Sequence, residues 1–173
     1  MIVRHYLLVL DMDLLAIDEE FDLEPINYFL VQQEQEPSDV VVLSLVNTSS
    51  AKLPAMELLL GARAGKFPVA PRPSHDISAA AEHRMNLAVR HLKAIGCRAD
   101  GIISDEDDLV KAVRFEMGGH DYAKVILATG RHRGSRLLRT LRLDAVHRLR
   151  RRLGKHLVVF PLGPDAPHPT LAP

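Results

Sequence analysis

A chain of 173 residues, 47% hydrophobic and 25% charged, is long enough to bury one core and cramped for two full domains, and its composition excludes disordered, fibrous and membrane-embedded classes. No apolar run approaches the ~18 residues of a membrane-spanning helix, and the N-terminal MIVRHYLLVLDMD meets acidic residues after one short apolar stretch, as a first strand does and a signal peptide does not. Cys97 is the only cysteine, which excludes an intrachain disulfide framework and fits a reducing cytoplasm.

The formal net charge is zero, yet the charges are segregated along the chain. Arg4 is the only Lys or Arg among residues 1–50, a stretch carrying acids from Asp11 to Asp39. Between Lys124 and Lys155 the arginines dominate and Asp144 is the only acid. Such polarity can steer partners or counter-ions.

Tyr6 to Asp11 (YLLVLD) is a continuous apolar run closed by a carboxylate, the pattern of a strand buried on both faces of a parallel sheet. The segment from about Phe21 to Gln35 carries Pro25 in a first turn and spaces Ile26, Phe29 and Leu30 for one helical face. A second strand is expected at Val40 to Val46. From Asn47 to His75 the pattern breaks up around Pro54, Pro68, Pro71 and Pro73, with a short helix over Ala55 to Gly61, and reads as an insertion rather than a lid or partner surface.

Regular alternation then resumes. Ile77, Ala81, Met85, Ala88, Leu92 and Ile95 line one helical face, and Gly96 stands where a helix is capped. Ala99 to Ile103 is a third strand; Ser104, Asp105 and Asp107 suit the start of a helix with Leu109, Val113 and Met117 on one side, ended by Gly118 and Gly119. Ala123 to Ala128 (AKVILA) is the clearest buried strand. A long helix to about Leu153 follows, its stripe formed by Leu138, Leu141, Ala145, Leu149 and Leu153, and HLVVF (His156 to Phe160) is a fifth strand. Strand and helix alternate throughout, which predicts an α/β fold: one doubly wound, five-stranded parallel sheet with helices on both faces, over residues 1–161, with 162–173 as a proline-rich tail.

Catalytic machinery is missing from this pattern. There is no Gly-x-Ser-x-Gly elbow or Walker-type loop. The nine histidines are scattered, with His83 and His91 eight apart on one helix, and no metal-ligand spacing appears. Asp11 and Asp13 alternate beyond a strand end, a poor arrangement for a two-carboxylate cation site. Cys97 enters a buried strand and reads as a small core residue. The arginines of the last helix lie opposite its leucine stripe, as on a solvated face; no interleaved aromatics accompany them, which argues against nucleic acid.

With Asp11 ending the first strand, Gly130 following the fourth and VVF closing the fifth, the stretch from Tyr6 to Phe160 resembles the universal stress protein family, of adenine nucleotide alpha hydrolase-like fold. The resemblance implies strand order 3-2-1-4-5, an adenine contact at Asp11, a base-pocket wall at Val46, and ribose and phosphate contacts from Thr129, Gly130, His132, Arg133, Gly134 and Ser135. The family pattern is Gly-x-x-Gly, nine residues, then Gly-Ser or Gly-Thr, because glycine lets backbone N–H groups wrap phosphate oxygens at a helix start. Here Gly130 matches the first glycine and His132 the common Gly-x-His. Counting strictly, Arg133 replaces the second glycine, Leu143 the third and Asp144 the hydroxyl residue; with one residue inserted, Gly134 serves as the second, Asp144 replaces the third and Ala145 the hydroxyl. Either register puts Asp144 among the expected phosphate positions, where like charges ~4 Å apart repel by about 1–4 kcal/mol.

The expectation is therefore a non-catalytic cytoplasmic regulatory or stress-response module without a bound cofactor. It forms a homodimer through the last strand at Leu157, Val158, Val159 and Phe160, as the resemblance and the exposed edge both imply. The alternatives are an ATP- or AMP-binding protein, at most a slow ATP hydrolase, that uses Asp11, Gly130 and the arginines near the last helix start, and a binder of nucleic acid or an acidic partner through that basic helix.

Overall fold

The computed structural model describes residues 3–11, 24–33, 36–46, 74–106, 108–129 and 136–161. Most of the expected insertion over 47–75, the short helix at Ala55 to Gly61 and the tail at 162–173 lie outside them. Among the described residues the elements run β1 (Arg4–Asp11), α1 (Glu24–Gln33), β2 (Ser38–Leu45), α2 (Ser74–Ala94), β3 (Arg98–Ser104), α3 (Leu109–Gly119), β4 (Lys124–Thr129), α4 (Arg136–Leu153), a 3₁₀ turn (Gly154–His156) and β5 (Leu157–Pro161). All strand pairs are parallel, in the order β3-β2-β1-β4-β5. The predicted α/β architecture and strand order are those of the protein.

β1 is central, paired with β2 on one side and β4 on the other, and covered on both faces, so six successive side chains from Tyr6 to Asp11 are buried. That double coverage is why its apolar run is continuous rather than alternating. Alternate side chains feed two cores. Tyr6, Leu8 and Leu10 pack with Val40, Val42, Ile126 and Phe160 against Phe29 of α1 and Ala88 and Leu92 of α2. Leu7 and Val9 pack with Leu43 and Leu127 against Val113 of α3 and Ala145 and Leu149 of α4. The first two helices thus cover one face and the last two the other, as right-handed crossovers require.

Two expectations are corrected. Leu30, expected on the buried face of α1, is 45% exposed; Pro25, Ile26 and Phe29 form that face, with Phe29 held edge-on by Tyr6 and Tyr28. The cap of α3 is Asp108, not the preceding acids: its carboxylate accepts from Val110 N at 2.8 Å and Lys111 N at 3.3 Å, and Ser104 Oγ instead accepts from Glu106 N. Gly96 does end α2 in the left-handed region, φ +92°, with Cys97 N donating to Leu92 O at 3.0 Å.

The amino-terminal end of the sheet is fastened by Gln33, the last residue of α1. Its Oε1 accepts from Ser38 N at 2.9 Å and receives the Cys97 Sγ–H at 3.7 Å, while its Nε2 donates to Gly96 O at 3.0 Å. One amide therefore joins α1, the start of β2 and the α2–β3 turn.

Candidate functional site

In a sheet of order 3-2-1-4-5 the chain leaves β1 toward β2 and leaves β4 toward β5, so the two connections diverge and open a crevice at the carboxyl ends of β1 and β4. The register places Asp11 directly opposite Thr129 at that point. Asp11 is 4% exposed, a carboxylate ending an otherwise apolar buried strand. Thr129 is half-buried, and its hydroxyl donates to Phe160 O at 3.4 Å, which turns it toward β5.

Val46 stands at the same end of the sheet, just past β2. It is buried against Ala81 of α2 and Ile103 of β3, and its N–H donates to Ser104 O at 3.0 Å. The structure therefore brings together Asp11 and Thr129 and puts Val46 on their level, one strand over. Gly130, His132, Arg133, Gly134 and Ser135 lie outside the described residues.

Asp144 is not at a helix start. It lies well inside α4, exposed, with Oδ2 paired to Arg148 Nε at 3.2 Å in an i,i+4 bridge. The charge repulsion expected from it at the phosphate position loses its geometric basis, because the spacer that is counted before the third glycine is already helical.

On β5, Val158 and Phe160 are buried in the first core, and Leu157 and Val159 are half-buried against the second. These side chains pack within the subunit, so the strand offers a partner its outer row of backbone groups. Cys97 is buried in the first core, and burial pushes its thiol up, making it a poor nucleophile as expected. Among the described residues no three His, Cys, Asp or Glu side chains gather for a metal, and no helix is long and apolar enough to cross a membrane.

Two concave features escaped the sequence reading. An open groove of about 820 Å³ runs beside the β3 edge and α3, floored by Ile102 and by Phe115, which is 83% exposed. A hollow of about 260 Å³ lies between α3 and α4, lined by Val110, Arg148, Arg151 and Arg152. The signal for the second was in the spacing: positions 148, 151 and 152 share one helix face. For the first, Phe115 stands off the Leu109, Val113, Met117 stripe.

No family model matches this chain, and no curated protein or solved structure does.

Proposed function

We propose that the protein is a non-catalytic regulatory module of universal stress type, acting in the cytoplasm as a homodimer, that does not take ATP in that family's manner. The observation carrying this reading is the pairing of Asp11 with Thr129 at the switch point of a 3-2-1-4-5 sheet. It joins to a sequence that keeps Gly130 but lacks, in either register, the third glycine and the hydroxyl residue after it, through which phosphates would be held. A buried carboxylate at the switch point, without the family's full glycine pattern beside it, suits a scaffold better than an ATPase.

Calorimetric titration of the nucleotide-free protein with ATP and magnesium tests it. The expected result is no binding up to millimolar ATP. Micromolar binding lost in Asp11→Ala would overturn the reading in favour of a nucleotide-binding protein, a reading that the buried position of Asp11 favours.

A further inference from the structure

We propose that the hollow between α3 and α4 binds a small, free oligophosphate ligand through Arg148, Arg151 and Arg152. The site shares no residue with the switch point and goes beyond the function proposed above.

The three arginines converge on one concavity whose remaining wall is the Val110 side, and among the described residues no carboxylate lines it. Elsewhere in the described structure Arg4 meets Glu36 and Lys111 meets Glu106. Arg148 is held by Asp144, which fixes its position on the rim, while Arg151 and Arg152 enter no ion pair among the described residues. Asp108, the cap of α3, has its carboxylate turned to the first amides of that helix.

The dipole of α4 favours basic residues in its last turn, which accounts for Arg150 as well as for Arg151 and Arg152. It does not account for a hollow bounded by three like charges. Guanidinium forks match phosphate oxygens two at a time, and a concave site of one sign with an apolar wall concentrates potential on an anion. The volume falls just below the roughly 300–1,000 Å³ of ordinary ligand pockets, which suits a few phosphoryl groups. No aromatic ring lines the hollow to stack a base, so a nucleic acid strand is disfavoured.

The test is titration of the full chain with inorganic tripolyphosphate at low ionic strength, followed by calorimetry. One tripolyphosphate per chain is expected, weakened about tenfold or more by Arg151→Gln with Arg152→Gln and also weakened by Arg148→Lys, which keeps charge but loses the fork. Arg150→Gln with Lys155→Gln removes the same charge outside the hollow and is expected to change affinity by no more than about twofold. Asp11→Ala is expected to leave binding unchanged, which separates this site from the nucleotide question. Equal weakening by both arginine and control pairs, several tripolyphosphates per chain, or tighter binding of a single-stranded oligonucleotide than of tripolyphosphate would each overturn the proposal, as would silence in the wild type.

Discussion

Tyr122 shows how a single side chain can be read in two directions. Its ring is 6% exposed and packs in the second core, yet its buried hydroxyl has no hydrogen-bond partner among the described residues. A buried, unmatched hydroxyl forfeits its bonds to water, so Tyr122→Phe is expected to leave stability unchanged or raise it by about 1 kcal/mol in urea denaturation; a loss would reveal a partner. Burial first, then the charge of Glu116, raises the pKa of this phenol, and burial also raises those of Tyr6 and Cys97. A raised folded-state value means the folded protein holds the proton that the unfolded chain gives up. The contribution is complete below the ordinary values, about 8.5 for Cys and 10 for Tyr, and is lost as pH climbs past them. Alkaline destabilisation should begin with Cys97, and Tyr122→Phe should flatten its upper part.

Among the elements, α2 and β3 meet closely at Gly101. A Cβ there would stand 2.6 Å from Met85 Sδ and 2.7 Å from its Cγ, so the glycine is a matter of room, not of backbone angle. Gly101→Ala is expected to cost about 1–3 kcal/mol by overpacking, and Met85→Ala in the same chain to recover part of it, a coupling that a double-mutant cycle measures. Additive costs would show that Met85 simply swings aside. This contact also marks where sequence legibility ends. The buried strands β1 and β4 were readable because coverage on both faces leaves no polar alternation, and the faces of α2, α3 and α4 followed from their stripes at Ala81 to Ile95, Leu109 to Met117 and Ala145 to Leu153; the side chains of Ile77, Leu138 and Leu141 lie outside those described. Leu30 misled because EPINYFLVQQ is apolar nearly all round, so spacing alone does not choose a face. Asp108 was hidden in the acidic run Asp105 to Asp108, where any member fits a cap. Gln33 was invisible because its partners at Gly96 and Cys97 are distant in sequence. Of the candidate site, Asp11 was legible as a carboxylate ending an apolar strand and Thr129 through the resemblance alone, whereas their facing each other is a matter of register.

At the scale of the whole molecule, among the described residues, the sheet ends in two edge strands of different character, each paired on one side. β3 is poorly covered, with Arg98, Asp100, Gly101 and Ile102 exposed, while every side chain of β5 from Leu157 to Phe160 is at least half-buried. A well-packed strand with a free backbone edge is the better template for a second copy. Because Val158 lies in the core, a charge there would test folding as much as association. Val159→Lys, half-buried and so less disruptive, is expected to halve the mass measured by light scattering after size exclusion, with thermal melting to confirm a folded monomer. A wild type of monomer mass, or a variant that remains a folded dimer, would remove this interface. The central position of β1 has one more consequence, for the order of events during synthesis. β1, buried at six successive positions, is the first of the five strands to be made, but Tyr6 must await Lys124 for its pairing on one side. Until β4 has been made, a nascent chain carries this central strand with one edge bare, so its exposure to misassembly is set by the time translation takes to traverse the middle of the sequence.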